Sequence, residues 1–352
     1  MINVITGVTG QAGSILAELL LNRGEVVIGV HRRTSSPNLS RLRWCLSNSD
    51  FQLAEADLLD FPSLHSLITK TRPTRIFNAA AQSHVHTSFE QPSFTWDVTA
   101  QGVLNLLEVI RLTGLDTRLI QFSSSEMFGD QYDTMVLPSA GPFLSDGDKR
   151  YRLPCGTITN EREFHFQDEN TRMNPQSPYA IAKLAGYHAV RLYRQAYGIW
   201  AANAIFFNME SERRGENFVT RKVTKYVADL KRSNFPSLPL SLGNLNAQRD
   251  WTSAWDSMAG CIKLADYSTP DDFVFASGVT HTVRDLVECA FATVGVQDWR
   301  KYVVISEKFK RPAEVPYLRG YARKAKEKLG WTPKLDFQQL VESMIDGEYN
   351  AG

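Results

Sequence analysis

Short apolar runs alternate with stretches in which apolar residues recur at helical spacing. Between two such runs, for example, Val103, Leu106, Leu107 and Ile110 keep the spacing of one helix face. Strands alternating with helices indicate βαβ units. We therefore predict an α/β fold, a Rossmann-type doubly wound parallel sheet. The strand-like runs are Ile2–Thr6, Val26–Val30, Phe51–Ala54, Arg75–Ala79, Leu119–Phe122 and Ala201–Phe206.

The alternation becomes irregular after about residue 207, where short helical stretches (217–231, 253–266, 282–294) are separated by loops. We predict a cofactor-binding Rossmann domain over residues 1–206 and a smaller C-terminal α/β lobe over 207–352, not cleanly separated from it. The region at about 130–166 lacks periodicity and is predicted to be an insertion. A long irregular segment in a compact domain is usually partly ordered or functional.

Thirty-nine basic and 38 acidic residues give a net charge of +1, which argues against a general role on nucleic acid or membrane surfaces. No apolar run approaches the roughly 18 residues of a membrane span. The first residues already form a strand-like run, so we expect no signal peptide and a cytoplasmic location. The cysteines show no C-x-x-C spacing, and we expect reduced thiols at Cys45, Cys155, Cys261 and Cys289.

A glycine-rich turn follows the first strand, with Gly7, Gly10 and Gly13 leading into a helix. Glycine permits a tight turn and lets the backbone approach a pyrophosphate. The helix N-terminus presents free N–H groups and a partial positive charge. The position favours a dinucleotide site, and the alternative is an ordinary surface turn.

The second strand ends in Arg32 and Arg33, where an NAD site usually places an acidic residue. Arginine suits a 2′-phosphate, so we predict NADP rather than NAD, the alternative being a solvated basic loop. Asp57 and Leu58 after the third strand are candidate adenine contacts. The small residues of the segment 78–83 suit close packing beside a cofactor.

Ser177 and Pro178 predict the start of a helix that carries Tyr179 and Lys183 on one face. A free tyrosine has a pKa of about 10 and is a poor base at neutral pH. We expect the Lys183 ammonium to lower the pKa of Tyr179. The pair could then take a proton from a hydroxyl while hydride leaves the same carbon, with Lys183 also holding the nicotinamide ribose. The alternative is a solvent-facing pair.

Ser124 and Glu126 follow another strand, at the sheet edge where ligands bind in open α/β proteins. The Ser124 hydroxyl can orient a substrate hydroxyl beside Tyr179. A carboxylate is not needed for alcohol oxidation or 4-epimerisation, but an elimination needs a base next to the new ketone. Glu126 therefore favours a dehydration. Taken by itself, an exposed acid at a loop end is the simpler interpretation.

The glycine turn and the Y-x-x-x-K pair resemble those of extended short-chain dehydrogenase/reductases, and the chain is most similar to GDP-mannose 4,6-dehydratases within them. The collinear motifs span nearly the whole chain, and those from RRGENFVTRKVT onward lie outside the general superfamily pattern. They are ITGVTGQAGS (5–14), NAAAQSHVHTSFEQP (78–92), SSSEMFG (123–129), SPYAIAKL (177–184), RRGENFVTRKVT (213–224), GNLNAQRDW (243–251), RPAEV (311–315) and AKEKLGWTPK (325–334).

The resemblance implies conversion of GDP-mannose to GDP-4-keto-6-deoxymannose by internal hydride transfer through NADP and loss of water. It implies a homodimer or homotetramer, with a possible interface loop at 32–43. The implied catalytic residues are Ser124, Glu126, Tyr179 and Lys183. The implied cofactor-binding residues are Gly7, Thr9, Gly10, Gln11, Gly13, Arg32, Arg33, Asp57, Leu58, Ala79, Ala81, Gln82, Ser83, Lys183 and Arg214. The implied substrate-binding residues are Ser83, Asn208, Lys222, Arg249, Arg311 and Glu314.

The chain departs from the family's usual residues at Ala12, Met209, Glu212 and Thr252, near the expected cofactor and sugar. These departures keep open a 4,6-dehydratase of another nucleotide sugar, such as a GDP-heptose. A sugar-nucleotide epimerase and a non-catalytic NADP-binding interaction protein are further alternatives. An H-x-H motif at 84–86 has no obvious carboxylate ligand beside it, so we expect no metal.

Overall fold

The computed structural model describes residues 1–138, 151–152, 158–233, 238–306 and 313–351. Its strands are β1 (Ile2–Thr6), β2 (Val26–His31), β3 (Phe51–Glu55), β4 (Arg75–Asn78), β5 (Arg118–Ser124), β6 (Asp133–Val136), β7 (Tyr151–Arg152), β8 (Ile158–Thr159), β9 (Glu163–Phe166), β10 (Ala201–Phe206), β11 (Asn208–Glu210), β12 (Leu240–Leu242), β13 (Gln248–Ser253), β14 (Phe273–Phe275), β15 (Thr280–Thr282) and β16 (Val303–Ile305). Its α-helices are α1 (Gln11–Asn22), α2 (Arg43–Leu46), α3 (Phe61–Thr71), α4 (Val85–Glu90), α5 (Pro92–Trp96), α6 (Gly102–Thr113), α7 (Pro178–Tyr197), α8 (Val219–Ser233), α9 (Ala254–Asp266), α10 (Val283–Ala292), α11 (Arg323–Leu329) and α12 (Phe337–Ala351).

A seven-stranded sheet in the order β14-β10-β5-β4-β1-β2-β3 forms the centre of the molecule. All its strand pairs are parallel, so their carboxyl ends meet at one edge. The predicted Rossmann-type sheet is confirmed, and six of its strands are the predicted runs. The seventh, β14, was not predicted, because three buried residues are too short a run to stand out.

Helices cover both faces of this sheet, which explains why strands such as β4 and β10 are buried along their whole length. On one face, α3, α6 and α7 pack through residues such as Leu106 and Val190. On the other, α1, α9 and α11 pack through residues such as Leu16 and Met258. The elements α9, β14 and α11 lie after residue 207 in the chain, but they pack with the large sheet. The chain therefore enters the second lobe and then returns to the sheet.

The second lobe has a separate core beneath α8, α10 and α12. Val227, Leu286 and Val341, one from each helix, are almost completely buried there. Fully burying side chains of this size contributes roughly 1.5–3 kcal/mol each. The lobe therefore has an apolar core of its own.

The region predicted to be an insertion forms antiparallel strands. β6 pairs with β9, and β7 pairs with β8. Phe164 and Phe166 of β9 are buried against Tyr321, which attaches this hairpin to the C-terminal part of the chain. Alternation along β6 is weak because most of its residues are exposed, so the sequence showed no clear strand pattern there.

Within the described part of the chain, no helix combines the length and apolar character needed to cross a membrane. Cys45 and Cys261 are buried free thiols and Cys289 is a half-buried one. Cys155 lies outside the described residues.

Candidate active site

The glycine turn lies between β1 and α1, and it is packed so closely that two of its glycines, Gly7 and Gly13, have no room for a side chain. Gly7 has φ +64°, a conformation that favours glycine. A Cβ on Gly7 would come within 2.8 Å of the Ala80 Cα, and one on Gly13 within 2.5 Å of the Gly7 oxygen. On Gly10 it would meet only the Gly7 oxygen, at 3.2 Å. The crowded side of the turn thus faces the sheet and its open side faces outward.

The N-terminus of α1 is suited to an anion. Gly10 is its N-cap, no side chain caps it, and its first turn contains no acidic residue. The first N–H groups of a helix that lack a capping side chain, together with the helix dipole, favour a phosphate group. The turn, the close passage of residue 80 and this helix end fit the pyrophosphate of a dinucleotide.

The other predicted cofactor residues surround this turn, although several also have structural contacts. Arg32 and Arg33 are exposed at the end of β2. The Gln11 amide donates to the Met209 carbonyl at 3.0 Å and accepts from the Ser211 hydroxyl at 2.9 Å, so it joins the turn to β11. Further members lie on the loops after β3 and β4, beside the same edge, namely Asp57, Leu58, Ala79, Ala81, Gln82 and Ser83.

Arg41 is a basic residue beside the turn that sequence reasoning missed. Its side chain donates to the Arg213 carbonyl at 2.8 Å and to the Thr9 carbonyl at 3.3 Å. Burial lowers the pKa of Arg41, and repulsion from Arg213 adds to the shift. Nothing in its spacing along the chain separates it from the other arginines of the loop 32–43, so only the fold reveals it.

A cavity of about 460 Å³ opens at the carboxyl ends of β5 and β10, between the two lobes. It contains most of the predicted catalytic and substrate residues. Lys183 is not among its lining residues, and Arg311 lies outside the described residues. The predicted residues that line it are Ser83, Ser124, Glu126, Tyr179, Asn208, Arg214, Lys222, Arg249 and Glu314.

Ser124 and Glu126 are placed by the end of β5 and the short 3-10 helix that follows it. The Ser124 hydroxyl accepts from the Glu126 N–H at 3.2 Å, acting as the N-cap of that helix. Both side chains line the cavity and both are only partly buried. The carboxylate of Glu126 therefore shares one solvent-accessible space with the serine hydroxyl.

Tyr179 and Lys183 lie on the first turns of α7, as predicted. The Ser177 hydroxyl caps this helix by accepting from the Ala180 N–H at 3.1 Å, and Pro178 occupies its first position. The Lys183 ammonium donates to the Phe122 carbonyl at 2.6 Å and lies 5.8 Å from the centre of the Tyr179 ring. Lys183 thus lies beneath the cavity while Tyr179 lines it.

The expected lowering of the Tyr179 pKa is wrong for this structure. Burial raises the pKa of Tyr179 to about 12, hydrogen bonding to Ser124 opposes the shift, and the charge of Glu126 adds to it. Burial also lowers the pKa of Lys183 to about 8. The physical reason is that both groups lie in a region of low dielectric, and the Lys183 charge is directed at a backbone carbonyl.

Arg214 brings a positive charge to the same cavity. It forms an ion pair with the buried Glu210 at 3.2 Å, and its guanidinium lies 3.6 Å from the centre of the Phe218 ring. Burial raises the pKa of Glu210, and the charge of Arg214 opposes that shift. The charge of Arg214 also acts to lower the pKa of Tyr179.

The far end of the cavity contains a second ion pair, Arg249 with Glu314 at 2.7 Å. Arg249 belongs to β13, and Glu314 comes from the segment before α11, which runs beside that strand. Asn208 and Lys222 line the same cavity from β11 and α8. Two basic side chains with adjacent polar groups can bind a diphosphate and hydroxyl groups.

Several aromatic and imidazole side chains of the cavity wall were not predicted as site residues. His84 and His86 line it from the loop after β4 and from α4, and the His84 ring caps that helix. Phe218 and Trp251 line the same cavity. Arg214 and Arg249, which lie in the same sequence motifs, were predicted. Membership of these motifs could therefore have identified Phe218 and Trp251 as site residues. Among the described residues, no group of three or more His, Cys, Asp or Glu side chains could hold a metal ion.

Comparison with known proteins agrees with this geometry. The family model described as GDP-mannose 4,6 dehydratase matches residues 4–139 and 160–344. The chain belongs to the GDP-mannose 4,6-dehydratase family. It is 40% identical to GDP-mannose 4,6 dehydratase 2 of Arabidopsis thaliana, over 98% of this chain and 86% of that protein.

Solved structures show the same fold. The UDP-glucose 4-epimerase of Thermus thermophilus, complexed with NAD, matches with a TM-score of 0.78 and 22% identity over 100% of both chains. RMD from Pseudomonas aeruginosa, complexed with NADPH, matches with a TM-score of 0.73 and 20% identity, covering 100% of this chain and 99% of that one. These likenesses show that the chain has the same fold as these two proteins.

Proposed function

We propose that this chain is a GDP-mannose 4,6-dehydratase that converts GDP-mannose to GDP-4-keto-6-deoxymannose and water. The observation that carries the proposal is Glu126, a carboxylate in the same cavity as Tyr179 and Ser124. An epimerase has no use for this base, whereas an elimination requires it. The family to which the chain belongs supports the same reaction.

The glycine turn and the N-terminus of α1 would hold the pyrophosphate of a nicotinamide cofactor, and Lys183 would hold its nicotinamide ribose. We propose NADP, because the exposed Arg32 and Arg33 at the end of β2 suit a 2′-phosphate. When bound, the oxidised cofactor supplies a hydride acceptor and a positive charge. The residues of the chain supply the proton transfers.

Tyr179 takes the proton from the C4 hydroxyl while a hydride leaves C4, and Ser124 orients that hydroxyl. With a pKa of about 12, Tyr179 is protonated at neutral pH in this structure, so it must first lose its proton to act as a base. The charge of Arg214 opposes the raised pKa of Tyr179 and so favours the phenolate.

Glu126 performs the elimination. Its carboxylate removes the C5 proton, which the C4 ketone has made acidic, and the C6 hydroxyl leaves with that proton as water. Tyr179 would return to C5 the proton that it took from the C4 oxygen, and the hydride lost from C4 would be recovered at C6 through the chemistry that the bound cofactor would supply. The balance is the loss of one water with no net oxidation.

The charged end of the cavity would hold the GDP group. Arg249 and Lys222 would contact the diphosphate, and Asn208 and Glu314 would bind hydroxyl groups. A second candidate substrate is another GDP-sugar, because Met209, at one of the departures from the family pattern, lines the cavity. Met209 pairs with Thr252, another departure, in the β11–β13 register.

The test is incubation of the purified chain with GDP-mannose and a trace of NADP⁺, followed by mass spectrometry. We expect a product lighter by one water, with no accumulation of reduced cofactor. Glu126→Gln is the control, and it should bind the cofactor normally without forming product. Turnover of a GDP-heptose but not GDP-mannose would select the second candidate, and no dehydration of any nucleotide sugar would overturn the proposal.

Parallel reactions with NAD⁺ in place of NADP⁺ test the cofactor assignment. We expect activity at much lower concentrations of NADP⁺ than of NAD⁺, and equal dependence on both would contradict it. We also propose a homodimer or homotetramer, which light scattering after gel filtration would establish.

A further inference from the structure

Asp250, between the two cavity residues Arg249 and Trp251 of β13, is a fully buried carboxylate. It accepts hydrogen bonds from the Ser277 N–H (2.8 Å), the Ser277 hydroxyl (2.6 Å) and the Gly278 N–H (2.8 Å). The Gly320 N–H donates to it at 3.1 Å and the Thr252 hydroxyl at 3.4 Å. Burying a carboxylate is costly unless donors of this kind satisfy it. Besides Thr252 of β13 itself, the donors come from two distant segments, residues 277–278 and Gly320, which meet at this one side chain.

The strand geometry relates this carboxylate to the cavity. Successive side chains of a strand point to opposite faces, so Arg249 and Trp251 face the cavity while Asp250 points away from it. Arg249 forms an ion pair with Glu314 at the far end of the cavity, with 2.7 Å between the Arg249 Nη2 and Glu314 Oε1 atoms. The ion pair therefore depends on where β13 lies relative to the segment that carries Glu314.

Asp250 holds β13 against the segment that carries Glu314 by binding Gly320 of that segment. The segment after Glu314 runs beside β13, with the Gln248 N–H donating to the Pro316 carbonyl at 3.0 Å. Six residues after Glu314, the Gly320 N–H is bound by Asp250. A Cβ on Gly320 would lie 2.2 Å from the Ala276 side chain, so this segment is also pressed against the end of β14.

The same carboxylate connects the cavity wall to the large sheet. Ser277 and Gly278 follow β14, the edge strand of that sheet, by two and three residues. We propose that Asp250 is a positioning residue for the nucleotide-sugar site, holding Arg249 and Glu314 at the distance and orientation that GDP binding requires. This inference rests on the proposed function, since it assumes that this end of the cavity binds the GDP group.

The test is Asp250→Asn, which keeps the shape but turns an acceptor into an amide whose NH2 group faces backbone donors. Steady-state kinetics should show KM for GDP-mannose raised about tenfold, with kcat within about threefold of wild type. Calorimetry with GDP should show a similar loss of affinity. The affinity for NADP⁺ should not change, because the glycine turn lies on the other side of the cavity.

Asp256→Asn is the matched control. Asp256 is another buried carboxylate, and it accepts from the Lys334 and Leu335 N–H groups at 2.7 and 3.2 Å. It lies on α9 and does not line the cavity. We expect a comparable loss of thermal stability with unchanged KM and GDP affinity.

Ser277→Ala is a milder variant that removes only one donor and keeps the proposal testable if Asp250→Asn does not fold. It should raise KM by about twofold to threefold. Unchanged GDP affinity in the folded variants, an equal fall in NADP⁺ affinity, or the same KM shift in Asp256→Asn would overturn the inference.

The outcome for wild type separates the two proposals. If wild type binds GDP but does not dehydrate GDP-mannose, the proposed function fails, and the positioning role is judged by GDP affinity alone. If wild type is active and Asp250→Asn has normal KM, the positioning role fails while the function stands. If wild type does not bind GDP, both are overturned.

Discussion

The glycine turn and the substrate cavity meet at the same edge of the large sheet, but they are built from different parts of the chain. The turn consists of backbone packed on backbone, with Gly7 and Gly13 leaving no space for one added carbon. The cavity is lined by charged side chains that pair with one another, as in Arg249–Glu314 and Arg214–Glu210.

This difference indicates which changes each region tolerates. The turn should be sensitive to added volume and insensitive to charge, because its ligand contacts come from N–H groups. The cavity should be sensitive to loss of charge and of hydrogen-bonding geometry, because side chains make its contacts. Tyr179 and Lys183 lie at the boundary, where burial controls the pKa values of both groups.

Glu126→Gln should have the largest effect, and it tests whether the cavity depends on a charge. The amide keeps the volume but cannot accept the C5 proton, so dehydration should fall roughly 10²–10⁴-fold. Product formation measured by mass spectrometry checks this. Cofactor affinity measured by fluorescence should stay at the wild-type value, and near-normal turnover would contradict the assigned role.

Lys183→Met tests whether the Lys183 ammonium is buried, through the pH dependence of the free energy of unfolding. Burial lowers the pKa of Lys183 from 10.5 to about 8, so between these pH values the unfolded chain binds more protons than the folded one. The free energy of unfolding should therefore rise with pH across this window, by a contribution on the order of 3 kcal/mol.

The rise should be absent in Lys183→Met, as urea unfolding at pH 7 to 11 would show. Tyr179 contributes with the opposite sign from about pH 10 to 12, because its pKa is raised and the folded chain retains its proton longer. Tyr179→Phe is the control for this contribution, because it removes the titrating phenol. An identical pH profile for Lys183→Met and wild type would contradict the burial of a titrating ammonium.

Gly13→Ala tests the volume limit of the turn. Its Cβ would lie 2.5 Å from the Gly7 oxygen and 2.8 Å from the Val8 Cα, so the backbone must move, at a cost of about 1–3 kcal/mol of stability. Urea unfolding measures that loss. Gly10→Ala is the comparison, because Gly10 has φ −77° and a less crowded Cβ position.

Gly10→Ala should change stability by no more than roughly 0.5 kcal/mol, yet it should weaken cofactor binding because its methyl group would face the pyrophosphate. If both alanine variants lost the same stability, the distinction between the crowded and the open side of the turn would be wrong.

Arg249→Lys should have the smallest effect, since it keeps the charge and loses only the planar fork. We expect KM for GDP-mannose to rise about tenfold with little change in kcat. Arg111→Lys is the matched control, because Arg111 forms a two-point contact with Glu108 on α6 (2.9 and 2.8 Å) away from the cavity. If KM for GDP-mannose rose equally in both variants, substrate binding would not depend on the planar geometry of the Arg249 guanidinium.

Local patterns in the sequence were enough to predict the sheet and several of the residues that line the cavity. Six buried runs predicted six of the strands, and the serine and proline before Tyr179 predicted the start of α7, because capping and periodicity depend on neighbouring residues. The strand β14 was missed because its three buried residues are too short a run to stand out in the sequence.

Side-chain environment was harder to predict than position. The Y-x-x-x-K spacing indicated that Tyr179 and Lys183 share a helix face, and they do. It did not show that Lys183 would be buried against the Phe122 carbonyl, so the expected direction of the Tyr179 pKa was wrong. Burial depends on what packs above a residue, and in this fold those atoms come from distant parts of the chain.

The sequence alone was enough to predict six strands of the sheet, the glycine turn, the family and several of the residues that line the cavity. These properties depend on residue type and short spacing. Only the tertiary structure decided which charges pair, which groups are desolvated and which segments meet at Asp250. Those contacts join residues separated by tens to hundreds of positions, and the packing of two lobes on one sheet brings them together.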